Sequence, residues 1–71
     1  MKQIDARGLS CPEPVIRARR AVDEMSPEDH ADILVETAAA RDNVLRAVRS
    51  LGCDAVADEY QGGFRIHLTK K

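Results

Sequence analysis

The sequence predicts a two-layer α/β sandwich: a β-α-β-α-β-β chain with a mixed four-stranded sheet and two helices on one face. Three observations predict it. Apolar residues recur at helical spacing in two stretches, Val15, Ala18, Val22 and Met25, then Val44, Leu45, Val48 and Leu51. Runs of strand-forming residues stand before, between and after them. The last run alternates Phe64, Ile66 and Leu68 with Arg65, His67 and Thr69, so one sheet face is polar and both helices pack on the other.

Taken in order, Gln3-Ile4-Asp5 is a short first strand. Ala6 to Ser10 is a turn hinged on Gly8, leading to Cys11-Pro12-Glu13-Pro14, where proline fits the first turn of a helix and little else helical. That helix ends near Met25, with Arg17, Arg19, Arg20, Asp23 and Glu24 on its other faces. Ser26 to His30 reads as a loop and Ile33-Leu34-Val35 as a central strand. Thr37 is placed to cap a second helix whose buried stripe ends at Leu51, and Gly52 supplies the stop. Ala55 to Tyr60 and Phe64 to Thr69 flank Gln61-Gly62-Gly63, a hairpin signal.

Seventy-one residues allow one domain, 1–71, with no room for a second core or a deeply enclosed substrate. Eleven Lys and Arg against twelve Asp and Glu leave a net charge of −1, and Tyr60 and Phe64 are the only large aromatics. An electrostatic footprint for DNA or RNA and a base-stacking platform are therefore both missing, and no direct nucleic-acid partner is expected. Two cysteines, Cys11 and Cys53, are too few for a disulfide scaffold and lack the paired spacing of a structural zinc site. Apolar runs are only a few residues long, so neither a membrane span nor a signal-peptide core is expected, and a reducing cytoplasm is the default setting.

Right-handed β-α-β crossovers bring both helix N-termini to the same edge of the sheet, where open α/β sheets place their ligands. That edge collects Arg7, Cys11 and Glu13 from the first junction and Thr37, Arg41 and Asp42 from the second. His30 and Cys53 fall at the opposite edge, roughly 17 Å away across a five-residue strand, too far to serve Cys11 as base or disulfide partner. Cys11, at the N-cap or first position of the helix, meets unpaired N–H groups and the positive dipole end, an effect of up to about 2 kcal/mol in favour of a thiolate. Pro12 and Pro14 remove two of those donors and Glu13 adds a carboxylate, which points to a moderately activated thiol held rigidly outward. By position alone, a working thiol and a buried cap residue are both open.

The run Asp5-Ala6-Arg7-Gly8-Leu9-Ser10-Cys11-Pro12-Glu13-Pro14-Val15 resembles the Cys-Pro-x-Pro signature of the TusA/SirA/YedF family of small sulfur-carrier proteins, and the order of elements is similar along the whole chain. Gly8, Leu9, Pro12 and Pro14 match the rest of the signature around Cys11. The resemblance implies that Cys11 carries sulfur as a persulfide. It implies a donor such as a cysteine desulfurase or rhodanese, an acceptor such as a sulfur-relay or DsrE-like protein, and no metal or organic cofactor. Arg41-Asp42-Asn43-Val44-Leu45-Arg46 is similar to the YedF-type amino-terminal domain, linked to selenium or sulfur metabolism. Glu36-Thr37-Ala38-Ala39-Ala40 stands where the tRNA-thiolation branch has Asp-Asp-Pro.

Arg7 and Arg41 are candidates to contact a persulfide anion or a partner's carboxylate, with ordinary surface arginines as the competing reading. Cys53 reads as a packing residue, and His30 and His67 as solvated histidines. Arg17, Arg19 and Arg20 form a basic strip that is either a docking surface or a solvated helix face. Two other functions stay open: an interaction or regulatory module in which Cys11 is structural, and RNA binding through the arginine strip, which the charge balance disfavours.

Overall fold

The computed structural model describes residues 2–9 and 12–71. Its elements are β1 (Lys2–Asp5), α1 (Glu13–Glu24), β2 (His30–Val35), α2 (Ala38–Ser50), β3 (Cys53–Tyr60) and β4 (Gly63–Lys70). The sheet runs β1-β2-β4-β3. β1 pairs parallel with β2 from Lys2 opposite Ala31 to Asp5 opposite Leu34, and β4 is antiparallel to both β2 and β3. The last strand therefore slots between the second and third, the three earlier strands all point the same way, and the expected mixed sheet results.

Each helix follows from its local chemistry. α1 has Pro12 at its N-cap and Pro14 in the first turn, and its first helical hydrogen bond is from Ile16 N to the Pro12 carbonyl at 3.0 Å. The cap is thus Pro12 and the first helical residue Glu13, where the sequence suggested Cys11 at the N-cap or first helical position. In α2, Thr37 caps as expected, its Oγ1 accepting from Ala40 N at 3.1 Å. The helix ends at Ser50, so Leu51 becomes the C-cap and leaves the buried stripe it was expected to extend; Gly52, at φ 88°, takes the left-handed turn.

Ala18, Val22, Met25, Val44 and Val48 bury against Ala31, Ile33, Val35, Ala55, Ile66 and Leu68. Alanines on α1 and β2 let the two layers approach closely, and branched aliphatics fill the centre in place of aromatics. The strands are longer than expected at both ends of the hairpin, and its turn is Gln61-Gly62 with both residues at positive φ, the geometry that follows the sheet's twist. Gly63 belongs to β4. A Cβ there would strike the carbonyl oxygen of Val35, so glycine is what lets β4 start hard against the end of β2.

The open sheet face is mostly polar, with Leu34 and the exposed Val56 as its apolar members, and it holds a buried carboxylate. Asp32 is buried in β2 and accepts a 2.7 Å hydrogen bond from His67 Nδ1 on β4. His67 in turn stacks on His30 at 5.4 Å between ring centres, and the His30 Nδ1 lies 3.0 Å from Thr69 Oγ1. His30 is the first residue of β2 and no part of the loop expected there, while His67 stays partly exposed to solvent, as expected, and is in addition hydrogen-bonded to Asp32.

Candidate functional site

The common direction of β1, β2 and β3 gathers three junctions at one edge: residues 6–9 leading to α1, residues 36–37 leading to α2, and the Gln61-Gly62 turn. The expected pairing of the two helix N-termini at one edge holds. The hairpin turn joins them, which the crossover argument alone did not require.

The first junction is built on backbone. Ala6 N donates to Leu34 O at 2.9 Å, continuing the β1–β2 ladder, and Gly8 at φ 78° turns the chain towards α1. That left-handed conformation strains any residue with a Cβ, which is why the turn needs glycine. Arg7 then locks the turn. Its backbone N and Nε donate to Asp5 Oδ1 at 3.0 and 2.9 Å, Nη2 donates to Oδ2 at 2.9 Å, and Nη1 reaches Gln61 Oε1 at 3.2 Å. These hydrogen bonds pull the Asp5 carboxyl down to about 2 and push the Arg7 guanidinium up. Arg7 is consequently a strut between the first junction and the hairpin, with its charge already matched.

Arg41 is similarly engaged: Nε donates to Asp42 Oδ1 at 2.9 Å, and the guanidinium lies 4.6 Å over the half-buried Phe64 ring. Glu13 lies 3.9 Å from Arg17 one helical turn on. Cys11 and Ser10 lie outside the described residues. Of the signature, Gly8 and Leu9 approach position 11 from one side and Pro12, Glu13 and Pro14 from the other. With proline at 12 and 14 and no side chain capping α1, Glu13 and Val15 supply the N–H groups of its first turn.

Between the two helix starts lies an apolar groove of about 250 Å³, lined by Leu9, Pro14, Val15, Thr37, Ala39, Ala40 and Asn43. None of these side chains is charged. At the far edge, Cys53 opens β3 and is buried, and burial pushes its thiol up, so it stays protonated at neutral pH. Among the described residues no three His, Cys, Asp or Glu side chains gather to hold a metal ion, and no helix is long and apolar enough to cross a membrane.

Residues 2–70 match the family described as sulfurtransferase TusA. The chain belongs to the TusA family. A proposed sulfur carrier protein of Archaeoglobus fulgidus is 42% identical over 59 residues, covering 83% of this chain and 77% of the relative. A second, from Methanocaldococcus jannaschii, is 30% identical over 71 residues, 99% of this chain and 95% of that protein. The crystal structure of a SirA-like protein from Desulfitobacterium hafniense superposes with a TM-score of 0.89 at 30% identity, over 97% of this chain and 96% of the other. With TusA membership comes the family's general role in sulfur relay between proteins.

Sequence reasoning placed Arg7 and Arg41 at this edge of the TusA fold and left their partners unnamed. Asp5 was readable as a partner, since Asp-x-Arg at the end of a strand puts both side chains on one face. Gln61 and Phe64 were not, because their nearness depends on β4 lying next to β2.

Proposed function

We propose that this chain is a sulfur carrier whose working group is the Cys11 thiolate. The Cys11 sulfur attacks the terminal sulfur of a donor protein's persulfide; the new S–S bond forms on Cys11 as the donor's S–S bond breaks, and the donor leaves as a thiolate. The terminal sulfur moves with its proton, no electrons are gained or lost overall, and the same step in reverse hands the sulfur to an acceptor thiol. A cysteine desulfurase or rhodanese is the donor in this proposal and a sulfur-relay or DsrE-like protein the acceptor, in a sulfur- or selenium-related pathway. The cytoplasm, where free thiols persist, is its setting.

What supports the proposal is the Cys-Pro-Glu-Pro sequence leading into α1 in a chain of the TusA family, next to a junction tied to the hairpin by the Arg7 strut. The edge suits a carrier. The groove between the helix starts is open to solvent, and a cargo of one sulfur atom needs no enclosed chamber. Glu13 and the two prolines shape and stiffen the approach to position 11.

Incubation with a persulfide-loaded cysteine desulfurase, followed by intact-mass measurement, tests the proposal. Wild type gains one reducible sulfur atom and Cys11→Ser gains none. If wild type stays unmodified with several desulfurases, or Cys11→Ser loads as well as wild type, the proposal fails.

A further inference from the structure

During transfer the cargo sulfur stands between the two cysteine sulfurs, so the partner's cysteine Cα lies a few ångström beyond the about 6 Å that separates the Cα atoms of a disulfide. Leu9 is two residues from position 11, within about 7 Å along the chain. Any protein that exchanges sulfur at position 11 therefore lays the residues flanking its own cysteine on the surface around Leu9 and Pro14. That surface has a defined chemistry.

The groove lined by Leu9, Pro14, Val15 and Ala40, with Thr37 at its rim, has room for one aliphatic side chain and offers no charge to it. Beside it the charges are unequal. Arg7 is held by Asp5, Arg41 by Asp42 and Arg17 by Glu13. Glu36, just before Thr37, is exposed and has no hydrogen bond or ion pair among the described residues. Its Oε1 lies 3.9 Å from where a Cβ on Gly8 would stand, so the carboxylate sits over the turn that leads to position 11. Its charge acts on Arg7, whose guanidinium is already hydrogen-bonded to Asp5 and Gln61. Among the described residues the edge thus presents an apolar slot and, beside it, a carboxylate that forms no hydrogen bond or ion pair.

We infer that this slot seats the cysteine-bearing loop of the sulfur-exchanging partner, with an aliphatic residue next to the partner's cysteine in the groove and a lysine or arginine beside it on Glu36. The inference rests on the reading of Cys11 as the carrier and names what that carrier selects. An aliphatic side chain leaves water on entering the groove, and the cation gives the Glu36 carboxylate an ion-pair partner. A loop with an acidic residue at the same place meets Glu36 with like charge and is rejected.

The test separates the two claims. The protein is loaded with inorganic polysulfide, whose terminal sulfur the thiolate takes as the shortened polysulfide leaves, a donor that needs no docking. Transfer is then timed by mass spectrometry to four synthetic peptides, with leucine or glycine before the cysteine and lysine or glutamate after it, each rate normalised to the loaded fraction. The leucine–lysine peptide accepts sulfur about tenfold faster than the glycine–glutamate peptide. Ala39→Trp, an exposed change that fills the groove, abolishes the preference for leucine, and Glu36→Lys reverses the preference for lysine. Equal rates for all four peptides, or preferences that survive both substitutions, overturn the inference while leaving the carrier reading intact. A wild type that takes no sulfur from polysulfide overturns the carrier reading itself.

Discussion

Arg7 donates four hydrogen bonds, three to Asp5 and one to Gln61, and so ties residues 54 positions apart in the sequence. Bidentate pairing of a guanidinium with a carboxylate fixes direction as well as distance, and here it fixes the turn that carries Gly8 and Leu9. The pair is open to solvent, so its role is positional more than energetic. Its pH dependence follows from the Asp5 carboxyl, which falls from its ordinary value of 3.8 to about 2. A depressed carboxyl favours the folded arrangement above pH 3.8 and loses that contribution as pH drops through 2. Carbon-detected NMR titration should find Asp5 with its midpoint near 2 in the native protein and back near 3.8 in Arg7→Ala. An unchanged midpoint in the variant contradicts the strut.

The two helices start differently, and the difference has consequences. α2 has a side-chain cap: Thr37 Oγ1 takes up the Ala40 N–H. Thr37→Ala should lower stability by about 1 kcal/mol in urea denaturation with an unchanged slope, and a shift smaller than experimental error contradicts the role of the cap. α1 has no such side chain; Pro12 at the cap and Pro14 in the first turn each lack an N–H and have a fixed φ. Among the strands, β4 depends on Gly63, whose missing Cβ lets it meet Val35. Gly63→Ala should be strongly destabilising, lowering the thermal midpoint by several degrees, because the clash is with backbone that cannot step aside.

Across the whole molecule, element order, the helix faces and the common edge of the helix starts were readable from periodicity and caps, since Val15 to Met25, Thr37 and Gly52 each act locally. Strand order was not. Nothing near Phe64 in the sequence says that β4 enters between β2 and β3, so the stacking of Phe64 with Arg41, the Arg7–Gln61 bond and the burial of Asp32 against His67 could not be foreseen. His30 was read as loop because Ser26-Pro27-Glu28-Asp29 leads directly into it; pairing with Thr69 draws it into the sheet.

The same topology puts the buried Cys53 at the start of β3, at the edge away from the helix starts, while Cys11 belongs to the family signature. Digestion of the desulfurase-loaded protein with trypsin locates the cargo, because cleavage after Arg7 and Arg17 isolates residues 8–17 with Cys11, and cleavage after Arg49 and Arg65 isolates residues 50–65 with Cys53. The extra sulfur should map to residues 8–17 alone and disappear on reduction. Sulfur on residues 50–65, or a loaded protein in which neither peptide carries it, would contradict Cys11 as the carrier.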